Sequence, residues 1–175
     1  MNLSLAPSRA APPKAPMLQS ERRQDAPLVT DLIDRAFGPG RYAKAAERLR
    51  ERNTPLMAIS FCAWSEGRLV GCVRMWPILI GEQPAVFLGP FAVEPEFRSL
   101  GLGATLIRRA VAATAEAGHA MILLVGDAPY FEPLGFRKVP AGRITLPGPV
   151  DANRVFRLAL VPGGDDDLAG AVTVP

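Results

Sequence analysis

The chain has 175 residues, of which 49% are hydrophobic and 21% charged, and its formal net charge at pH 7 is +3. This length accounts for one globular domain with short tails, and the composition excludes a wholly disordered chain. The positive charge is not gathered into a long run, which argues against nucleic acid as a partner and favours a small anionic ligand.

Metal, membrane and export signals are weak. The two cysteines, Cys62 and Cys72, and the single His119 are too few for a structural zinc site, so we expect no metal. The longest apolar stretches fall far short of the roughly 18–20 residues that span a membrane, so we expect no membrane partner. The first twenty residues lack the apolar segment of a secretory signal, and a cytoplasmic protein is therefore predicted.

Turn residues and hydrophobic periodicity divide the chain into elements. Residues 1–16, which include four prolines, are predicted to form a flexible arm, residues 17–162 the domain, and residues 163–175 a solvated tail. Helices are predicted over 26–37, over 42–52, within 98–118 and near 129–134. Strands are predicted over 56–64, 68–80, 85–93, 120–125, from 136 onward and over 154–160.

This order of elements predicts a mixed sheet with helices on its faces. The strands over 56–93 follow one another through tight turns and should pair antiparallel. The strands over 85–93 and 120–125 are joined by the long helix, so they should lie parallel. The fold class is therefore mixed α+β and α/β, with about six to seven strands.

The turn before the long helix carries the strongest ligand signal. Gly101 and Gly103 let a ligand approach the backbone closely, and the first amides of a helix lack partners within it. With Arg98 beside them, these groups would form a cradle for a phosphate or pyrophosphate. The alternative is a glycine turn that only packs the helix on the sheet. A dinucleotide-binding fingerprint would need a third glycine where Leu106 stands, so this segment matches that motif poorly.

A second signal lies in the preceding strand. Pro90 lacks an N–H and is tolerated in a strand only at an edge or a bulge, and Gly89 beside it strengthens the interpretation as a bulge. If this strand then diverges from its parallel neighbour, the backbone of residues 91–93 is free to bond an extended, amide-containing ligand. A pyrophosphate cradle beside such an edge suits coenzyme A.

Three segments together resemble a known family. They are Phe91-Ala92-Val93-Glu94-Pro95, Arg98-x-x-Gly101-x-Gly103 and Tyr130-Phe131-Glu132-Pro133-Leu134-Gly135-Phe136. Their residues and spacing resemble the GNAT superfamily of acetyl-CoA-dependent N-acetyltransferases, over about residues 17–161. The segment over 123–127 that precedes the Tyr-Phe pair is similar to a bacterial branch of that superfamily.

The resemblance implies a GNAT fold, acetyl-CoA as co-substrate and direct attack by a neutral amine. Backbone amides over 100–104 would hold the pyrophosphate, and residues 91 and 93 would pair with the pantetheine arm. An amide at the end of the same strand would polarise the thioester carbonyl. The cofactor-binding residues so implied are Phe91, Ala92, Val93, Arg98, Ser99, Leu100, Gly101, Leu102, Gly103 and Ala104.

The general acid departs from the family pattern. The family's tyrosine lies five residues before the Phe of Gly-Phe, and here that position holds Phe131. The neighbouring Tyr130 is the catalytic candidate, with a packing role as its alternative. Phe131 also favours an alternative function, a non-catalytic acyl-CoA-binding module that acts as a sensor or partner subunit.

The base and the acceptor are less determined. Candidates for the base are Glu94, Glu96 and Asp127. The two glutamates fit helix-entry residues better than bases, whereas Asp127 fits a cap or turn residue equally well. The acceptor is expected to be a small-molecule amine or a peptide amine, bordered by the two N-terminal helices. A homodimer through the strand over 154–160 is a further expectation from the resemblance.

Overall fold

The computed structural model describes residues 15–175, so the predicted arm over 1–16 lies almost wholly outside the described residues. The strands are β1 Met17–Ser20, β2 Phe61–Ser65, β3 Arg68–Ile80, β4 Gln83–Val93, β5 Met121–Val125, β6 Arg137–Lys138, β7 Ile144–Thr145, β8 Val155–Ala159 and β9 Gly170–Thr173. The α-helices are α1 Ala26–Phe37, α2 Ala45–Arg48, α3 Pro95–Arg98, α4 Leu102–Glu116 and α5 Ala128–Phe131.

Seven strands form one mixed sheet in the order β1-β2-β3-β4-β5-β8-β6. β2, β3 and β4 form the predicted antiparallel meander, and β4 pairs parallel with β5 through the crossover helix α4. The predicted mixed architecture is therefore confirmed, with β7 and β9 added beside the end of β3.

The predicted bulge lies between β3 and β4. Val73 pairs with Phe91 and Met75 with Leu88, so Gly89 and Pro90 together stand opposite a single residue of β3. β4 pairs with β5 at only two positions, Val86 with Ile122 and Phe87 with Leu123. Beyond the bulge the two strands diverge, and this divergence places the candidate site.

Two helices cover the two faces of the sheet. The buried face of α4, which includes Leu106, Ile107 and Ala110, packs into the core formed with β3 and β4. The buried residues of α1 pack against the other face, where Cys62 and Cys72 stand opposite each other as buried free thiols. Both cysteines are therefore small residues of the core.

Two predicted elements are shorter than expected. The helix predicted over 42–52 is a 3-10 helix at Pro39–Ala43 followed by α2 and a turn, and this turn ends at Arg52, which is left-handed with φ +58°. The strand predicted over 56–64 begins only at β2. Ser60 Oγ donates to the carbonyl of Leu56 and accepts from the Met75 amide, which holds the preceding residues in a turn.

The predicted solvated tail over 163–175 is wrong. β9 pairs antiparallel with the end of β3 and parallel with β7, and Leu168 and Val172 are buried. Asp165 forms an ion pair with Arg157, so the run of three aspartates is also attached to the sheet through β8. The short apolar stretch after the aspartates showed no clear strand periodicity, but the burial of Leu168 and Val172 fixes this segment.

Candidate active site

The N-terminus of α4 offers three amides to a ligand. Within α4 the Thr105 amide donates to the Gly101 carbonyl at 3.1 Å, so Leu102, Gly103 and Ala104 precede the helical hydrogen bonds. The amides of Leu100 and Gly101 donate to carbonyls of α3 at 3.2 and 3.4 Å. The predicted cradle of five amides is therefore narrower, with three available donors.

The two glycines of the turn are required for different reasons. Gly101 is left-handed, with φ +74°, and a Cβ there would meet no heavy atom within 4 Å. A Cβ on Gly103 would lie 2.4 Å from Tyr130 Oη and 3.5 Å from the Phe91 ring. Gly101 thus permits the turn, whereas Gly103 permits the close approach of the candidate general acid to the helix.

The end of β4 has one edge free. The Glu94 amide donates to the Val70 carbonyl at 2.9 Å, and because alternate residues face the same neighbour, Ala92 also faces β3. The backbone groups of Phe91 and Val93 therefore face the side from which β5 has diverged. On that side the Val93 carbonyl accepts from Arg98 Nε at 2.9 Å, which fixes Arg98 at the end of the strand.

A groove and a cleft meet beside this edge. The groove, of about 290 Å³, is lined by Ala36, Phe37, Phe91, Ala92, Val93, Arg98, Gly103 and Tyr130. The cleft is larger, about 600 Å³, and lies between the diverging strands, α2 and the loop before β8. Phe37, Phe91 and Tyr130 line both spaces and so stand at their junction. Of the predicted cofactor residues, Ser99 and Leu100 are exposed in the turn beyond the groove.

Tyr130 faces this junction. Its ring stacks on Phe91, with ring centroids 5.5 Å apart and an angle of 20° between the planes. Burial raises the pKa of Tyr130 above its ordinary value, and Arg108 offsets the rise in part. A phenol in this environment is protonated at neutral pH, as a general acid must be.

Phe131, at the family's tyrosine position, belongs to the core. It packs edge-to-face on Phe136 at 5.7 Å, and a Cβ on Gly126 would lie only 2.1 Å from its ring. The phenylalanine that favoured a non-catalytic module is thus explained by packing, and its neighbour Tyr130 turns to the groove.

The three candidate bases are all ion-paired. Glu94 pairs with Arg35 at 2.8 Å, and Glu96 pairs with Arg68. Asp127 lines the cleft but is three-quarters exposed and pairs with Arg154 at 3.2 Å. This arrangement favours the interpretation of these carboxylates as structural and surface groups.

Sequence reasoning missed much of the cleft. It placed the two N-terminal helices beside the acceptor, and Arg41 and Lys44 of that region line the cleft, but it did not single out Arg50 or Arg154. Arg50 sits in a run of charges that is typical of a solvated surface. The signal that could have found it is its spacing from Glu47, since residues three apart on a helical turn contact each other.

Met75 and Trp76 of the paired strands are buried in the core and do not line the cleft. Trp76 Nε1 donates to the Gly89 carbonyl at 2.6 Å. This bond also holds the bulge from which the cleft opens.

The described residues contain no group of three His, Cys, Asp or Glu side chains placed to hold a metal ion. No helix among residues 15–175 is both long enough and apolar enough to cross a membrane.

Comparison with known proteins decides the family. The family model for the acetyltransferase (GNAT) family matches residues 26–136, which is more than half of the chain. The chain belongs to the GNAT family of acetyltransferases. This membership confirms the predicted family, fold class and enzyme class.

Relatives of this GNAT chain cover most of its length. The uncharacterized N-acetyltransferase YjhQ of Escherichia coli K12 is 30% identical over 131 residues, which are 73% of this chain and 72% of that protein. The crystal structure of the GNAT family protein YhbS from E. coli, in complex with CoA, has a TM-score of 0.79 at 23% identity and covers 95% of this chain and 93% of its own. A GNAT family acetyltransferase from Brucella melitensis, in complex with acetyl-CoA, has a TM-score of 0.63 at 27% identity, with 84% and 89% covered.

Proposed function

We propose that this GNAT enzyme transfers the acetyl group of acetyl-CoA to a primary amine by direct attack, with Tyr130 as general acid. Acetyl-CoA as co-substrate follows from the family and from the related structures that hold CoA or acetyl-CoA. The acceptor class, a small-molecule or peptide amine, is part of the proposal.

The residues of the groove fit the co-substrate. The free amides of Leu102, Gly103 and Ala104 lie at the positive end of α4, where an anionic pyrophosphate is stabilised. Arg98 adds a charge on the same side. The open edge offers the N–H and C=O of Phe91 and the N–H of Val93 to the amides of a pantetheine arm, because the Val93 carbonyl already accepts from Arg98. We assign these residues to co-substrate binding, with Ala92 contributing groove surface.

One observation carries the proposal: Tyr130 stands where the groove meets the cleft. A thioester at the end of the groove would reach the junction from one side, and an amine would reach it from the cleft. The ring of Tyr130 is held there by Phe91, so its hydroxyl is positioned before substrates bind.

The step can be written atom by atom. The lone pair of the neutral amine forms the new C–N bond at the acetyl carbonyl carbon, and an N–H at the end of β4 polarises that carbonyl. The C–S bond breaks, and its electron pair leaves with sulfur. Tyr130 Oη donates its proton to the thiolate, and the proton lost by the amine restores the phenol through solvent. The products are an N-acetylated amine and free CoA thiol.

The test follows thiol release and N-acetyl product together. Incubation with acetyl-CoA and a panel of primary amines should give equal amounts of both, and the intact protein should carry no acetyl group when the amine is omitted. A stable acetyl adduct on the protein that disappears when amine is added would contradict direct attack.

A further inference from the structure

The lining of the cleft is unequally charged. Four basic side chains face two acidic ones, namely Arg41, Lys44, Arg50 and Arg154 against Asp127 and Asp151. This excess of positive charge favours an acceptor that carries a negative group.

Of the three cations other than Arg50, two have carboxylate partners. Arg41 bonds Asp34 at 2.8 Å and Glu47 at 3.2 Å, and Arg154 bonds Asp127 at 3.2 Å. Lys44 has no ion pair within residues 15–175 and lies exposed on the cleft wall. These three residues define the charge at the border of the cleft.

Arg50 differs from the others because a buried part of its guanidinium has no hydrogen-bond partner among the described residues. Its side chain is 13% exposed, and Nη1 donates to Glu47 Oε2 at 2.9 Å. Nε is buried, and neither Nε nor Nη2 has an acceptor among the described residues. A buried N–H without a partner is costly, so such a group in a cleft wall indicates a ligand.

Two other arginines show what this edge of a guanidinium binds. Arg74 uses Nε and Nη2 to hold the Glu21 carboxylate, at 3.0 and 2.6 Å. Arg22 holds the Asp25 carboxylate with the same two nitrogens, at 3.1 and 3.0 Å. The paired N–H groups of this edge match the two oxygens of a carboxylate. In Arg50 the same edge is unused.

The position of Arg50 places this edge near the cleft. Its Nη2 lies 3.4 Å from the point that a Cβ on Gly89 would occupy, and Gly89 forms part of the cleft wall at the bulge. Its guanidinium also lies over the Phe87 ring, 5.8 Å from the centroid. Burial lowers the pKa of Arg50 to about 10, with Glu47 opposing the change, so the guanidinium remains charged at neutral pH.

We propose that the acceptor amine carries a carboxylate, which binds the free Nε and Nη2 edge of Arg50 while its amine reaches Tyr130. This inference rests on the proposed acetyltransfer. The substrate class is therefore an amino acid or another amino carboxylate. The carboxylate takes no part in bond making, and Lys44 at the border of the cleft adds attraction for the anion.

The test compares amino carboxylates with their neutral carboxamides. The panel holds α-amino acids and ω-amino acids of increasing length, each with its matched amide, and kcat/KM is measured from thiol release. The wild type should prefer the acids by about tenfold or more, the usual size of a charge-assisted pair. Arg50→Gln should remove most of that preference, and Arg50→Lys should restore only part of it. Arg137→Gln, which changes an exposed arginine outside the cleft, should retain it in full.

A second measurement is independent of turnover. The CoA-loaded wild type is titrated with N-acetyl amino acids and with their amides, and the acids should bind about tenfold more tightly. No difference within the pairs, or a preference that survives unchanged in both Arg50 variants, would overturn the inference. A wild type that acetylates only amines without a carboxylate overturns the inference and leaves the proposed function standing. Failure to bind acetyl-CoA would instead contradict the proposed function.

Discussion

Tyr130 and Phe131 are adjacent in sequence and have opposite environments. Phe131 is fixed in the core by Gly126 and Phe136, which directs the Tyr130 ring outward against Phe91. The packing of Phe131 therefore positions its neighbour Tyr130, the proposed general acid. One aromatic side chain stabilises the core, and the other faces the groove.

Removal of the Tyr130 hydroxyl tests its role. Tyr130→Phe keeps the ring on Phe91 but cannot protonate the thiolate, so we expect kcat to fall by about 10²–10⁴-fold. Affinity for acetyl-CoA, measured by calorimetry, should be unchanged. Tyr42→Phe alters the chain's other tyrosine, which lies outside the groove, and should retain activity. Full activity in Tyr130→Phe would assign the ring to packing alone.

The pH dependence of kcat gives a second test at this residue. A general acid works while protonated, so the rate falls as pH rises through its pKa. Because burial raises the Tyr130 pKa above 10.0, the ordinary value, that fall should lie above about pH 10. Rates at saturating acceptor should be level between about pH 8 and 10. If the wild-type rate instead falls with rising pH below about pH 10, and Tyr130→Phe abolishes that fall, the assignment is contradicted.

At the scale of elements, the bulge of β4 produces the site. Two residues of β4 oppose one of β3, and past this point β4 no longer pairs with β5. The same divergence frees the edge at Phe91 and opens the cleft beside Gly89. A single irregularity in one strand thus supplies both substrate approaches.

The C-terminal segment that contains β9 is predicted to contribute to the stability of the fold. Leu168 is 4% exposed, so Leu168→Ala leaves a cavity and should lower the free energy of unfolding by about 2–5 kcal/mol. Thr173→Ala, at an exposed position of β9, should change it by less than about 0.5 kcal/mol. Denaturant unfolding measures both. Equal stabilities for Leu168→Ala and the wild type would mean that the tail does not pack on β3 in solution.

Elements with strong local signals could be predicted from the sequence. β3 has the predicted bounds, and the Gly89-Pro90 pair indicated the bulge, because proline cannot donate within a central strand. β9 could not be predicted, since its pairing depends on a distant strand rather than on its own residues. The cradle was predicted as five amides because sequence does not show that the α3 turn uses two of them.

In the molecule as a whole, the family motifs placed the groove but not the cleft. The groove is formed mostly by the segment over 91–103, which the motifs display, and is completed by Tyr130 and by Ala36 and Phe37 of α1. The cleft is assembled from α2, the bulge and the loop before β8, which are far apart in the chain. Arg50 becomes informative only when its neighbours Glu47 and Gly89 are known.

Ligand-dependent stability of the whole chain separates the proposal from other nucleotide sites. A ligand at 100 times its Kd stabilises the native state by about 2.7 kcal/mol, which for this size raises Tm by roughly 5–10 °C. Acetyl-CoA should produce such a shift, whereas NAD and ATP should produce little. Stabilisation by NAD without stabilisation by acetyl-CoA would assign the cradle to a different ligand.

The central claim is that the turn before α4 holds the pyrophosphate of acetyl-CoA, and calorimetry on Gly101 variants tests it most directly. Gly101→Asp and Gly101→Asn have nearly the same shape, both tolerate a positive φ better than most residues, and neither meets an atom within 4 Å at its Cβ. The wild type should bind one acetyl-CoA per chain, and Gly101→Asn should bind it more weakly than the wild type does. Asp should lose binding because its charge opposes the pyrophosphate, while thermal unfolding shows all three folded. Equal affinity in Asp and Asn, or no binding by the folded wild type, would contradict the account.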